Sequence, residues 1–270
     1  MSRDKLIIIL GESEVAKQKI SSYVCNDCGA DFNKWQGQCT ECGAWNTLTE
    51  LRLGSSKSSP VVRHAGFAGA SNGSVSVLSD IMLNEVPRII TGSVEFDLVL
   101  GGGLVPGSCI LVGGEPGAGK STLLLQHLCS LAQDHKSLYV TGEESPQQVA
   151  MRASRLELPS DKLQIMAETS VEAICAAAIK HQPKILAVDS IQVMHLDDVA
   201  SAPGSVSQVR ESAAMLIRYA KETNTVLLLV GHVTKDGVIA GPKILEHMID
   251  CSMMLESSND SHFRTLRCNK

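Results

Sequence analysis

Nine consecutive residues, Gly114-Glu115-Pro116-Gly117-Ala118-Gly119-Lys120-Ser121-Thr122, constrain this chain more than any other stretch. A strand-like apolar run, Cys109 to Val112, leads into them, and a helix-like run from Leu123 to Ala132 follows. Strand, glycine-rich turn and helix, in that order, form the context of a Walker A phosphate loop. Glycines let the main chain turn tightly and aim successive N–H groups at phosphate oxygens, and the helix N-terminus adds partial positive charge. In this pattern the Lys120 ammonium reaches the β- and γ-phosphates and the Ser121 hydroxyl ligates Mg²⁺. The competing reading is a glycine-rich turn that binds nothing. Pattern and context together favour a nucleoside triphosphate, with ATP and Mg²⁺ as the expected ligands.

Cysteine spacing supplies the second constraint. Four of the nine cysteines fall in Cys25-x₂-Cys28-x₁₀-Cys39-x₂-Cys42, and the other five are scattered through mostly apolar stretches. Two CxxC knuckles bring four thiolates into the tetrahedron that Zn²⁺ accepts, although the gap between the pairs is shorter than the usual one. Two disulfides are the alternative; the odd total and the nucleotide loop favour a reducing compartment and hence the metal. Four thiolates leave no open coordination position, so the expected zinc is structural. Trp35 and Trp45 lie inside this module. They could stack nucleobases, but packing against the knuckles is the expectation in so small a unit. The scattered cysteines (Cys109, Cys129, Cys175, Cys251 and Cys268) read as core filler.

The chain is long enough for one substantial core plus a small module. Its 44% hydrophobic content indicates a folded protein, and its 3% aromatic content means that aliphatic side chains build the core. A net charge of −5 argues against a uniformly basic coat but leaves room for a local basic stripe. The early apolar run Leu6 to Leu10 is too short to span a bilayer, and no cleavage site follows it. A cytoplasmic protein without membrane association is expected. Residues 1–20 stand as an unassigned extension, 21–50 as the zinc module and 51–85, rich in Gly, Ser and Ala, as a flexible linker. Residues 86–270 alternate buried-type strands with helices, which predicts an α/β fold: a RecA-like P-loop core with a mainly parallel sheet. Strands are expected at 109–112, 137–141, 185–188 and 226–230, with a weaker one at 163–167 and a hairpin near the end. Helices are expected at 121–132, 147–156, 171–181 and 207–223.

Ligands of such sheets sit at the carboxyl ends of the strands, where this chain places its chemistry. The run Ile185 to Val188 ends in Asp189, a Walker B carboxylate suited to holding Mg²⁺ beside Ser121; a helix N-cap is the bland alternative. The run Leu138 to Thr141 leads to Gly142-Glu143-Glu144. Either acid could polarise a water for attack on the γ-phosphate; Glu143 is the first candidate and Glu144 the alternate. The run Val226 to Val230 leads to His232, suited either to sensing the γ-phosphate or to a structural role. Lys235 and Lys243, in the segment that follows, are candidate contacts for DNA phosphates.

These motifs, together with Trp35-Gln36-Gly37-Gln38-Cys39, Ala44-Trp45-Asn46-Thr47, Leu100-Gly101-Gly102-Gly103, Tyr139 to Ser145 and Gly231 to Gly237, are specific in combination. From about Tyr23 onward the chain resembles the bacterial RadA (Sms) family of RecA-like DNA repair ATPases. The resemblance implies an ATP-driven motor on single-stranded DNA that branch-migrates recombination intermediates, works beside a RecA-type recombinase and assembles as a hexameric ring. It places Lys120, Ser121, Asp189 and the four cysteines at matching motif positions and supports Glu143 and His232 as catalytic groups. The family also carries a Lys-Asn-Arg-Phe-Gly motif, of which Lys270 is the first residue here, and a further Lon-like domain. A truncated chain is thus expected, and its alternative readings are an ATP- and DNA-binding fragment without motor activity or a clock-type RecA-like ATPase or kinase.

Overall fold

Four short apolar runs, buried along their whole length, organise the main sheet. The computed structural model describes residues 21–25, 30–32, 34–52, 77–80, 87–232, 244–257 and 263–270. The 1–20 extension, Cys28, most of the expected linker, Lys235, Lys243 and residues 258–262 lie outside the described residues. No described helix is long and apolar enough to cross a membrane.

Near the front, β1 (Ser21–Cys25) pairs antiparallel with both β2 (Asp31–Phe32) and β3 (Leu48–Arg52). The buried cluster of this small sheet is Cys25, Cys39 and Leu48, with Tyr23, Ala30 and Phe32 packed against it.

The larger unit begins with α1 (Val94–Val99), capped by the Ser93 hydroxyl, followed by β4 (Cys109–Gly114) and α2 (Lys120–Leu131). Then come β5 (Ser137–Thr141), α3 (Pro146–Arg155), β6 (Gln164–Ala167) and α4 (Val171–His181). The chain continues through β7 (Ile185–Asp189), α5 (Val206–Thr223), β8 (Val226–Val230), α6 (Ile244–Met248), β9 (Cys251–Ser257) and β10 (Arg264–Cys268). The strand order is β10-β9-β4-β8-β7-β5-β6, parallel throughout except for β10 against β9. Each predicted strand and helix is present with its ends shifted by two residues at most.

Burial explains why these runs are strands. Leu111, Val140, Leu186, Val188, Leu227 and Leu229 face a core built with α4, α5 and α6. Their strand neighbours Ile110, Val112, Tyr139, Ile185, Ala187 and Leu228 face a second core built with α1, α2 and α3. Parallel strands covered on both faces read as continuous apolar runs because both side-chain directions are buried. Leu186 has no exposed surface in the middle of β7. Leu186→Ala is expected to cost about 2–5 kcal/mol of stability, read as a lowered urea midpoint with an unchanged slope.

Two cysteines correct the core-filler reading. Cys109, Cys129 and Cys175 are buried, whereas Cys251 is half-buried and Cys268 exposed, with their sulfurs 3.8 Å apart. Cys268 lies on the edge strand β10, most of whose side chains face solvent.

Candidate functional site

Four strand ends set the geometry. Because β4, β8, β7 and β5 are parallel neighbours, the residues that follow them gather along one edge of the sheet. The loop after β4 carries Gly117 at φ 82° and Gly119 at φ 98°, left-handed values that glycine adopts without a steric penalty. Gly119 is the N-cap of α2, so the free N–H groups of that helix open onto the loop. Gly114 packs so closely against the Leu255 carbonyl that a Cβ would stand 2.5 Å from its oxygen.

Lys120 folds back over this loop. Its Nζ donates to the carbonyls of Gly114 (2.8 Å) and Glu115 (2.9 Å), and the residue is buried. Burial lowers the ammonium from its ordinary value, while the Asp189 and Glu143 carboxylates push it back up. Lys120, Asp189 and Glu143 are thus electrostatic neighbours although they come from three separate elements.

Asp189 is the last residue of β7, and the N-cap of the short 3₁₀ turn that follows is Ser190, so Asp189 caps no helix. The Tyr139 hydroxyl donates to Asp189 Oδ2 at 2.5 Å, and Ser121 lies close enough to favour the charged carboxylate. Burial raises the Asp189 carboxyl above the usual range; Ser121 and Tyr139 oppose that, and the Glu143 and Glu144 charges reinforce it. A hydroxyl and a carboxylate side by side at a helix N-terminus are hard oxygen donors, and they suit Mg²⁺.

The adjacent acids Glu143 and Glu144 have different surroundings. Glu143 accepts from the Ser190 hydroxyl and lies 3.3 Å from His232 Nε2. Glu144 is ion-paired to Arg152 of α3, and its backbone is tied to the Thr141 hydroxyl. Neither acid belongs to the helix that follows, because Ser145 and Gln148 form its capping box. His232 therefore touches Glu143, and its Nδ1 is buried without a hydrogen-bond partner among the described residues.

Beside the loop opens a cavity of about 330 Å³, lined among others by Phe96, Val99, Thr122, His127, Arg264 and Leu266. The His127 ring stacks on Phe96 with centroids 4.2 Å apart. The Arg264 guanidinium lies against Gly119, where any Cβ would overlap it. It forms no ion pair with a described residue. Sequence reasoning missed Tyr139, Ser190 and Arg264 as site residues; their partners lie far along the chain, and no local pattern marks them.

In the small sheet, the Cys25, Cys39 and Cys42 sulfurs lie within 4.8 Å of one another, with Cys25 and Cys42 at 3.6 Å. The edge of a tetrahedral zinc–thiolate site is about 3.8 Å, so these donors fit zinc. The Cys25 sulfur also lies 3.2 Å from the Thr47 hydroxyl, a polar contact suited to a thiolate. Trp35 and Trp45 lie at the surface of this module. They are 56% and 69% exposed, and both rings approach Gly37. Among the described residues, the module's buried centre consists of Cys25, Cys39 and Leu48.

Residues 95–238 match the AAA domain family, and residues 23–50 match the rubredoxin metal binding domain. The chain is 60% identical over 256 residues to the DNA repair protein RadA of Haemophilus influenzae and 60% identical over 261 residues to that of Escherichia coli K12. It is 44% identical over 259 residues to the DNA repair protein RadA of Bacillus subtilis. Each alignment covers 95% of this chain and 56% of the relative, so the chain spans about half the length of the curated relatives it matches. In structure it is similar to a KaiC-like protein from Pyrococcus horikoshii, with a TM-score of 0.57 at 20% identity, covering 68% of this chain and 88% of that one. That likeness is one of fold.

Proposed function

The chain belongs to the AAA domain family, and from that premise we propose that it is a Mg²⁺-dependent ATP hydrolase acting on DNA in recombinational repair. One observation carries the hydrolase reading: Lys120, Asp189 and Glu143, from α2, β7 and the end of β5, converge beside a single glycine loop. The loop N–H groups and the Lys120 ammonium grip the β- and γ-phosphates, exchanging the ammonium's bonds to Gly114 and Glu115 for phosphate oxygens. Ser121 and Asp189 would hold the Mg²⁺, which would supply neutralisation of the charge that builds on the phosphate oxygens. Glu143 orients a water and accepts its proton, with Ser190 and His232 fixing its carboxylate. The cavity lined by Phe96, His127 and Arg264 takes the nucleoside, its apolar floor suiting a base and its guanidinium suiting stacking.

DNA as the effector is supported by the resemblance and by the names of the RadA relatives. Single-stranded DNA and branched intermediates are the proposed nucleic acids, with Lys235 and Lys243 as contact candidates on sequence grounds. A homo-oligomeric ring and a RecA-type recombinase are the proposed protein partners.

Phosphate release measured with and without single-stranded DNA tests the whole. The expected result is Mg²⁺-dependent hydrolysis that rises several-fold with DNA. Transfer of phosphate to a metabolite would identify a kinase instead. Nucleotide binding without hydrolysis, DNA present or not, would reduce the chain to an ATP-binding fragment.

A further inference from the structure

A tyrosine is an unexpected choice for the middle of β5. Tyr139 is 1% exposed and packs in the apolar core between the sheet and α2, where a phenylalanine would fill the same space. A buried phenolic hydroxyl is costly unless it finds a partner. Here the partner is the Asp189 carboxylate on the adjacent strand, itself 7% exposed.

The strand register explains the reach. Tyr139 pairs with Ala187 and Thr141 with Asp189, so Tyr139 and Asp189 project to the same sheet face one pair apart. The phenol extends along the sheet toward its carboxyl edge and donates to Oδ2 at 2.5 Å. Ser121, at the start of α2, lies near the same carboxylate from the loop side. The carboxylate is thereby tied to the neighbouring strand and faces the helix that begins at the phosphate loop.

We propose that Tyr139 is a positioning residue for the divalent cation: it occupies one oxygen of Asp189 and fixes the carboxylate plane, directing the other oxygen to the metal beside Ser121. This rests on the reading of Asp189 as a magnesium ligand. Residues that orient a metal ligand in this way change affinity or activity by about 10–100-fold when removed. Free rotation of an unanchored carboxylate is the physical source of the loss, because each productive geometry must then be selected from several.

Electron paramagnetic resonance titration of Mn²⁺ into the protein with saturating ADP tests the proposal without depending on turnover. Tyr139→Phe is expected to raise the Mn²⁺ dissociation constant about 10–100-fold. Its ADP affinity in EDTA, which reports an intact fold and phosphate loop, is expected to stay close to wild type, and its metal-free urea midpoint to fall only by the loss of one hydrogen bond. Asp189→Asn weakens Mn²⁺ by itself, and adding Tyr139→Phe to it is expected to cause no further loss. Wild-type Mn²⁺ affinity in Tyr139→Phe, with Asp189→Asn impaired, overturns the positioning role and leaves Asp189 as a ligand. Full additivity of the two changes overturns it as well, since the phenol would then act independently of the carboxylate. Wild-type affinity in both single variants removes the ligand reading of Asp189 and the proposal with it.

Discussion

Glu143→Gln is expected to lower turnover by about 10²–10⁴-fold while leaving ATP affinity close to wild type. The amide preserves the size of the side chain and its reach to Ser190 and His232 but cannot accept a proton from water. Ser190 can rotate its hydroxyl to accept from the new amide, so the local fold survives. Lys120 is held by the loop carbonyls of Gly114 and Glu115, whereas Glu143 is held by Ser190 and His232, so the phosphate grip is expected to persist. Lys120→Ala is expected to do the opposite and abolish binding, since it removes the buried cation facing the phosphates. Phosphate-release rates and calorimetric affinities separate the two variants. Undiminished turnover in Glu143→Gln would move the base elsewhere, and Glu144→Gln would then be the variant to measure. The ion pair from Glu144 to Arg152 argues that Glu144 serves α3 instead.

Stripping zinc is expected to unfold the small antiparallel sheet and spare the nucleotide site. A buried core of Cys25, Cys39 and Leu48 cannot offset the entropy of ordering this many residues. Structural zinc contributes about 10–16 kcal/mol to small domains of this kind, far more than that core can. With chelator, hydrogen exchange across β1 and β3 should rise to the unprotected rate, and far-ultraviolet circular dichroism should lose a small β component. Calorimetric ATP affinity should not move. If protection of β1 survived complete zinc removal, the tetrathiolate assignment would fail; if ATP affinity fell in parallel, the module and the nucleotide site would not be independent.

What the sequence disclosed follows from how local each signal is. The phosphate loop was legible because strand, glycines, lysine and helix lie within about twenty-five residues. Asp189, Glu143 and His232 were legible for a related reason: in a parallel sheet, any polar residue ending an apolar run lands on the ligand edge. The distinction between Glu143 and Glu144 was not legible, because it depends on Ser190 and His232 for one and Arg152 for the other. The Tyr139–Asp189 bond spans fifty residues, and within its own strand Tyr139 reads as one more buried large residue. Helix α1 escaped notice because six residues barely exceed one turn and its exposed Val94 and Leu98 blur the amphipathic pattern. Strand β6 gave a weak signal because its side chains alternate between half-buried and exposed at the sheet edge. The exposure of Trp35 and Trp45 was not legible, since residue type in so small a module does not say which part of a ring faces solvent.

That placement has a spectroscopic consequence. The chain contains two tryptophans, and both stand in solvent on the metal-binding module, while the nucleotide core has none. Indole emission excited at the red edge is therefore a private channel for the front of the molecule. Its wavelength, quenching by iodide and anisotropy describe that module without a background from the nucleotide core.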